Sequence, residues 1–298
     1  MAVVPVGALG LEGALIPTAG SWQREGDDAR FTPRFAAVPG TAYAVVGRRD
    51  AREAWLERAQ VLVPLLPLVP STAVASINPG GDQVPANLLR FSVTFSAVME
   101  EGTAAGHIHL LDASGAELPG TLFEMPPELW DRERRRLTVL LEPGRIKRGL
   151  QPNVQAGPPL REGSTVTVVV DHDLRDAAGA ELVGGAQRTY LVGAPVRSRV
   201  DPALWQVRWP ESRTDALVVR FDRPLDRALV LRYVRLVDRH GHGHGHPVPG
   251  DTSLNREATE WAFTPAEGSG PARVDDWALQ VDARLEDLAG NSVRGVFD

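Results

Sequence analysis

The stretch Asp171–Leu182 (DHDLRDAAGAEL) is matched 111 positions later by Asp282–Val293 (DARLEDLAGNSV). Both segments end in a turn-forming run of Asp, Ala and Gly. Two shorter segments are repeated upstream, in the same order and at an offset of 126 residues: Phe95–Met99 (FSAVM) as Phe221–Leu225 (FDRPL), and Ile108–Asp112 (IHLLD) as Val234–Asp238 (VRLVD). Repeats that keep their order predict two homologous domains.

The strongest local pattern is alternation of apolar and polar side chains in short runs bounded by Gly, Pro, Asp and Asn. Three such runs are Phe91–Phe95 (FSVTF), Ser164–Val170 (STVTVVV) and Ala216–Phe221 (ALVVRF). A period of two places the apolar residues on one face of a strand and the polar ones on the other. The sequence therefore predicts an all-β chain of tandem antiparallel sandwiches.

Helical patterns are few. Arg49–Gln60 (RDAREAWLERAQ) has good helix formers and opposite charges three and four apart, so it predicts a short helix in the N-terminal region. A second short helix is predicted at Glu128–Arg135. The Gly/Pro-rich stretch Glu142–Pro159, which lengthens the first repeat, is predicted to be a loop.

These patterns divide the chain into three parts. Residues 76–194 and 195–298 are predicted to be the two sandwiches, and residues 1–75 a partial or degenerate copy with a linker. The N-terminal part shares Phe31-Thr32-Pro33 with Phe263-Thr264-Pro265 of the second full repeat.

Composition excludes several classes of protein. With 298 residues, a net charge of −6 and 43% hydrophobic residues, the chain is globular and has no basic surface typical of nucleic-acid binding. Zero cysteines exclude disulfides and thiolate metal sites. No apolar run is long enough for a transmembrane helix. Because the first twenty residues contain Glu12 and lack a basic start, we expect any export signal to lie outside this sequence.

The ordered motifs resemble the bacterial Ig-like domains of the SbsA type, named for an S-layer protein. The resemblance rests on four elements: the opening segment Asn78–Pro85, the strand end Phe95–Met99, the turn Asp112–Gly115, and the closing turns Asp176–Gly179 and Asp287–Asn291. It covers about two thirds of the chain. The first domain departs from the pattern, with Ala180 where the family often has Asn.

The resemblance implies an antiparallel β-sandwich on an exported protein, periplasmic or at the cell surface. In such proteins the domain acts as a spacer, an adhesive module or a ligand-displaying module. It implies no catalytic residues. The sequence itself has no Gly-x-Ser-x-Gly elbow, phosphate-binding loop, His-Glu-x-x-His helix or dinucleotide fingerprint, so we expect a non-enzymatic protein.

A His/Gly run lies in a predicted hairpin turn of the second repeat. Neutral imidazoles favour Zn²⁺, Ni²⁺ or Cu²⁺, and the glycines let alternate side chains converge on one ion. The candidate metal ligands are His240, His242, His244 and His246. The alternative is a flexible loop with no metal in the cell.

Two further candidates lie in the first repeat. Asp171, Asp173 and Asp176 could form a calcium loop, although an aspartate-capped turn is the alternative, since the second repeat replaces Asp173 with Arg284. His107 and His109 lie two apart on a predicted strand. They are expected to face solvent while their neighbours face the core.

Tryptophans offer the last candidate site. Trp130 and Trp209 fall outside the best strand rows, and exposed indole rings could stack on a polysaccharide. Contacts between domains are the alternative. The leading prediction is thus a structural, spacer or adhesive module that meets a protein or polysaccharide at a surface. A metal-binding accessory protein and a polysaccharide-binding module remain open.

Overall fold

The computed structural model describes residues 1–9, 16–50, 53–64, 68–212, 215–239, 246–269 and 274–297. Within these residues the chain is all-β, with twenty strands and three short α-helices, and the named strands pair antiparallel except for β7, which is parallel to β13. It divides into two compact units, Met1–Leu68 and Val69–Asp298. None of the described helices is long and apolar enough to cross a membrane.

The N-terminal unit is a small sheet with a separate hairpin. Its strands are β1 (Ala2–Pro5), β2 (Gly20–Glu25), β3 (Asp28–Pro33), β4 (Ala42–Gly47) and β5 (Leu56–Leu62). The sheet has the order β1-β4-β5, and β2 pairs with β3. Alternation along β1 and β4 buries a small core of Ala2, Val4, Ala44 and Val46.

The helix predicted at Arg49–Gln60 is wrong. Leu56–Leu62 is strand β5, which pairs antiparallel with β4. Helix propensity and side-chain pairs contribute only a few tenths of a kcal/mol each, about 0.2–0.5 kcal/mol per pair, so backbone pairing with a neighbouring strand overrides them. The helical turn that the structure describes in this unit is a 3-10 turn at Val6–Ala8.

The first sandwich is built from eight strands, β6 to β13. They are β6 (Val74–Asn78), β7 (Gln83–Pro85), β8 (Arg90–Phe95), β9 (Ile108–Asp112), β10 (Leu129–Trp130), β11 (Arg136–Leu140), β12 (Thr165–Val170) and β13 (Ala186–Gly193). One sheet has the order β10-β11-β8-β6 and the other β7-β13-β12-β9. The predicted apolar row of Phe91, Val93 and Phe95 is buried between them.

Two predictions in this sandwich fail locally. Glu128–Arg135 contains β10 and a tight turn, where a helix was predicted. The stretch Glu142–Pro159 contains two helices, α1 (Pro143–Ile146) and α2 (Gln151–Ala156), where a loop was predicted. The Glu142 side chain caps α1 by accepting from the backbone N–H of Gly144 at 2.9 Å, and proline near each N-terminus suits a first helical turn.

The second sandwich repeats the plan, with seven strands among its described residues. It contains β14 (Gln206–Arg208), β15 (Leu217–Arg220), α3 (Arg227–Tyr233), β16 (Val234–Asp238), β17 (His246–Pro247), β18 (Gly250–Leu254), β19 (Glu260–Pro265) and β20 (Trp277–Val281). Its described sheets have the orders β14-β15-β19-β18 and β17-β16-β20. Leu217, Val219 and Phe221 are buried as the alternation predicts, around a core that includes Trp261 and Trp277.

The two sandwiches share a strand register as well as a plan. The central pairs match residue for residue: Val166 opposite Asp112 and Val170 opposite Ile108 in the first sandwich, Trp277 opposite Asp238 and Val281 opposite Val234 in the second. The offsets between matching strands are 126 for β9 and β16 and 111 for β12 and β20. These are the offsets of the sequence repeats, so the fold is a tandem of antiparallel Ig-like sandwiches.

Candidate functional site: the junction between the sandwiches

Three segments meet where the sandwiches join, and together we call them the junction. They are Ala86–Arg90, which leads into β8; residues 194–200, which link the sandwiches; and Glu286–Asn291, the closing turn of the second sandwich. Each is placed by a strand or a turn of its own sandwich. The junction therefore joins parts of the chain that are up to about 200 positions apart.

An arginine from the first sandwich binds two carboxylates of the second. Arg90 Nε donates to Asp226 Oδ2 at 2.7 Å, and Arg90 Nη2 donates to Glu286 Oε2 at 2.5 Å. All three side chains are mostly buried, with exposed fractions of 18–28%. Burial acts to lower the pKa of Arg90, but the two carboxylates outweigh burial and leave the pKa raised. The guanidinium is therefore a fixed positive charge at the joint.

Two asparagines hold the linker. The Asn87 side chain donates to the Val196 carbonyl at 2.7 Å and accepts from the Val196 N–H at 2.9 Å. Asn291 Nδ2 donates to the same carbonyl at 3.0 Å. Both amides are buried, so losing a partner would leave a polar group without a hydrogen bond away from water. The linker is thereby tied to both sandwiches.

Backbone and apolar contacts complete the junction. The Leu89 N–H donates to the Leu288 carbonyl at 2.9 Å, and Leu288 and Phe297 of the second sandwich pack on the core of the first. The Lys147 ammonium lies 4.4 Å from the centre of the Phe297 ring, within cation–π distance. Polar pairing and apolar packing thus act at the same joint.

The closing turns of both sandwiches are capped by aspartates, Asp287 at the junction and Asp176 at the other end of the first sandwich. Asp176 accepts from the N–H groups of Ala178 and Ala180 and from the Thr72 hydroxyl. Burial opposes ionisation of Asp176, but these hydrogen bonds outweigh it and lower the pKa. This geometry matches the capped turn that the sequence analysis gave as the alternative to calcium.

The three candidate calcium ligands do not converge. Asp171 Oδ2 lies 2.9 Å from His109 Nε2, and Asp173 Oδ1 lies 3.8 Å from His107 Nε2, whereas Asp176 serves its own turn. Within the described residues, no group of three or more His, Asp or Glu side chains is arranged to hold a metal ion.

His107 and His109 instead each lie beside carboxylates. His109 Nδ1 lies 3.1 Å from Glu117 Oε1, and its other ring nitrogen contacts Asp171. The hydrogen bond to Glu117, followed by that to Asp171, raises the pKa of His109 above its usual 6.5, although burial opposes this. As predicted, the neighbouring Ile108 and Leu110 face the core.

The predicted metal ligands His240, His242 and His244 lie outside the described residues. His246 is described: it is exposed in β17, opposite Asp238 of β16. The strands on either side of the His/Gly run, β16 and β17, pair antiparallel. Binding of Zn²⁺, Ni²⁺ or Cu²⁺ there stays a prediction.

The two candidate tryptophans have different surroundings. Trp130 packs on Phe95 with ring centres 5.8 Å apart, and its Nε1–H donates to Glu128 at 2.7 Å. Trp209 is 39% exposed and lines an open surface groove with Glu211 and Arg239. Polysaccharide binding stays a prediction, and Trp209 is the better placed of the two.

Sequence reasoning missed Arg90, Asn87, Asp226 and Glu286 as a group. One difference in the sequence pointed to this junction: the closing turn of the second repeat has Asn291 where the first repeat has Ala180. Asn291 is the residue that reaches the linker.

The fold and the junction together define a class: an all-β protein of tandem Ig-like sandwiches joined by buried polar contacts. No protein-family model matches the sequence, and no curated protein matches it significantly. Solved structures match it, with low scores. The S-layer protein SbsC (residues 31–844) is 15% identical over 66% of this chain and 22% of that chain, with a TM-score of 0.30.

Other matches are of the same order. SbsC domains 1–6 are 11% identical over 74% of this chain and 33% of that chain, with a TM-score of 0.29. Native alpha-2-macroglobulin from Escherichia coli, domains MG0-NIE-MG1, is 10% identical over 71% of each chain, with a TM-score of 0.27. The chain thus spans about a fifth to a third of the length of the SbsC chains. Values of this size carry no information about activity or partners, and the SbsA type stays a prediction.

Proposed function

We propose that this protein is a non-enzymatic spacer that holds two Ig-like sandwiches in a fixed orientation within an exported or cell-surface protein. The observation that carries the proposal is Arg90 bound to Asp226 and Glu286 across the junction. Export is inferred from the resemblance to SbsA-type domains alone. The boundaries 76–194 and 195–298 are part of the proposal.

Rigidity follows from the kinds of contact at the junction. A flexible linker between domains is typically polar and solvated, with few contacts across it. Here the linker carbonyl of Val196 accepts from two buried amides, and a mostly buried arginine spans the joint. Opening the junction would exchange these hydrogen bonds for bonds to water, at a net cost of about 1.5–3 kcal/mol for each bond to a charged group.

The test measures the distance between the sandwiches. Because the chain has no cysteine, spin labels can be attached to cysteines introduced at the exposed Val154 and Thr252. Double electron–electron resonance should give one narrow distribution of distances between the two labels in the full chain. Arg90→Met removes both ion pairs while keeping the aliphatic stem, and we expect it to widen the distribution.

The matched control is Arg220→Met. Arg220 also pairs with a glutamate, Glu260, at 2.6 Å, but on an exposed surface within one sandwich. It should leave the distance distribution unchanged. A broad distribution in the unaltered chain would contradict the spacer function, and so would equal effects of the two substitutions.

A further inference from the structure

A cavity of about 170 Å³ lies inside the first sandwich, between the edge strand β9 of one sheet and β11 of the other. Ile108 and Leu110 of β9 form one wall, and Leu137 and Val139 of β11 form the opposite wall. All four side chains belong to the core or pack against it. An apolar cavity of about 150 Å³ is large enough to bind one benzene ring. This cavity therefore has room for one ring or a short alkyl chain.

The cavity is covered by residues 117–128, which cross from one sheet to the other and which we call the crossing segment. Near its start, the Leu118 N–H donates to the Leu110 carbonyl of β9 at 2.9 Å. Further along, the Phe123 N–H donates to the Leu140 carbonyl of β11, also at 2.9 Å. Backbone hydrogen bonds therefore attach the crossing segment to both sheets, and the cavity between them has fixed walls.

The mouth of the cavity also carries apolar side chains. Phe123 and Leu129 line the cavity and are 37% and 39% exposed, while Leu122 and Met125 are half-buried beside them. Sites for small molecules in proteins are mostly apolar concave surfaces with a few polar groups that orient the ligand. A molecule that fills this cavity would also cover part of the two exposed side chains.

The charged side chains that line the cavity are all carboxylates: Glu117, Glu124 and Glu128. Glu128 accepts hydrogen bonds from three backbone N–H groups of the loop between β8 and β9. Glu117 lies 3.1 Å from His109 Nδ1. The exposed Glu124 makes no hydrogen bond or ion pair with another residue that the structure describes. Its carboxylate is therefore available to a positively charged group of a ligand.

We propose that this cavity binds a small apolar molecule that carries an ammonium group. The ring or short alkyl chain lies between β9 and β11, and the ammonium pairs with Glu124 at the mouth. Burial of the apolar group supplies most of the affinity, about fourfold for each CH₂ group removed from water. The carboxylates select a cation over an anion. This binding goes beyond the spacer role and does not depend on the rigidity of the junction.

The probes are three molecules of the same shape and different charge: phenethylamine, which is protonated at neutral pH, phenethyl alcohol, and phenylpropanoate. Each is titrated into the full chain, and the methyl resonances of Leu122 and Val139 are followed by NMR. The amine should bind about two- to fivefold more tightly than the alcohol, since exposed ion pairs are weak, and the carboxylate should bind least tightly. Equal affinities of the three probes, or shifts confined to other parts of the chain, would overturn the proposal, and so would an absence of saturable binding.

Glu124→Gln tests the charge at the mouth without altering the cavity. It should lower the affinity for the amine to that for the alcohol and leave binding of the alcohol unchanged. The matched control is Glu133→Gln, at an exposed glutamate of the same sandwich that does not line the cavity. If Glu124→Gln had no more effect than the control, Glu124 would not bind the ammonium group.

Val139→Phe tests the cavity itself, because the larger side chain occupies the space between the two walls. It should weaken binding of the amine and of the alcohol about tenfold or more, whereas Val154→Phe, at an exposed valine of α2, should not. Methyl resonances of the second sandwich report whether the variant keeps its fold. Unchanged affinities in a folded Val139→Phe would contradict the proposed site. Should that variant not fold, the comparison of Glu124→Gln with Glu133→Gln decides the proposal.

Discussion

Asp176 and Asp287 occupy the same position in the two closing turns, yet their pKa values move in opposite directions. Both accept hydrogen bonds from backbone N–H groups of their own turn. At Asp287, which is 2% exposed, burial outweighs the bonds from Asn291 and Arg223 and raises the pKa. Asp176 also accepts a hydrogen bond from the hydroxyl of Thr72, and together its hydrogen bonds outweigh burial and lower the pKa. The surroundings of each aspartate therefore decide the direction of its pKa shift, although the turn motif is the same.

The sign of each shift fixes its effect on stability. Asp176 stabilises the fold above its unfolded pKa, and this contribution is lost as the pH falls through the lower folded pKa. Asp287 acts oppositely, because its raised pKa makes the charged form unfavourable in the fold. Neutralisation of Asp287 in mild acid therefore offsets part of what Asp176 loses at lower pH.

His109 makes the stability of the fold decrease as the pH rises above neutral. Since its pKa is raised by Glu117 and Asp171, its contribution to stability is complete below about pH 6.5, the usual value for histidine, and is lost as the pH rises through the folded pKa. Because the pair is only partly buried, we expect a loss of about 0.5 kcal/mol. Urea unfolding between pH 5.5 and about 8.5 in the wild type and in His109→Gln measures it.

The control substitution is His172→Gln, at an exposed histidine near the same end of the sandwich. It should keep the wild-type pH profile, while His109→Gln flattens it. If both variants, or neither, changed the slope, the ion pairs of His109 would not be its source. An NMR titration of the His109 ring gives the folded pKa independently.

At the scale of elements, strands were predictable and helices were not. The runs at β8, β12 and β15 were predicted from alternation, because a period of two records which face is buried. The charge pattern of Arg49–Gln60 predicts a helix only for an isolated segment, and β4 provides a backbone partner that the local sequence does not reveal. Local helix propensity is overridden where a strand outside the segment, even the preceding one, is available for pairing.

The turn between β10 and β11 shows what the predicted helix at Glu128–Arg135 overlooked. Asp131 Oδ1 accepts from the N–H groups of Arg135 and Arg136, which closes a tight turn. The turn places Arg134 at φ 52°, a left-handed conformation that is costly for residues with a Cβ. A hairpin forms because strand pairing with β8 and the aspartate bonds outweigh that cost.

This geometry predicts opposite effects of one substitution at neighbouring positions. Arg134→Gly relieves the left-handed strain and should stabilise the protein by up to about 1 kcal/mol. Arg135→Gly, at a position without positive φ, should destabilise it by about 0.5–1 kcal/mol because glycine adds freedom to the unfolded chain. Thermal unfolding of the two variants measures the difference, and equal shifts would refute the strain at Arg134.

At the scale of the whole molecule, the sequence repeat predicted two sandwiches in tandem but not the junction between them. Matching offsets identified the two copies because each copy keeps its own register. The junction joins Arg90 to Asp226 and Glu286, which are 136 and 196 positions away. Neither separation is an offset of the repeat, so no internal comparison could have paired these residues.

The junction makes a last prediction at Gly290, which has φ 80° and lies against Leu89 of the first sandwich. A Cβ at this position would overlap the buried Leu89 side chain and lie 3.3 Å from the Phe297 ring.

Gly163 has nearly the same backbone, φ 81°, with open space around its Cα. Alanine should therefore cost about 1–2 kcal/mol at Gly163 from backbone strain alone. At Gly290 it should cost more, and it should also widen the distance distribution between labels on Val154→Cys and Thr252→Cys. Gly163→Ala should leave that distribution narrow. If Gly290→Ala lowered stability only as much as Gly163→Ala and left the distances unchanged, the contact of Leu89 with the closing turn would not hold the sandwiches together.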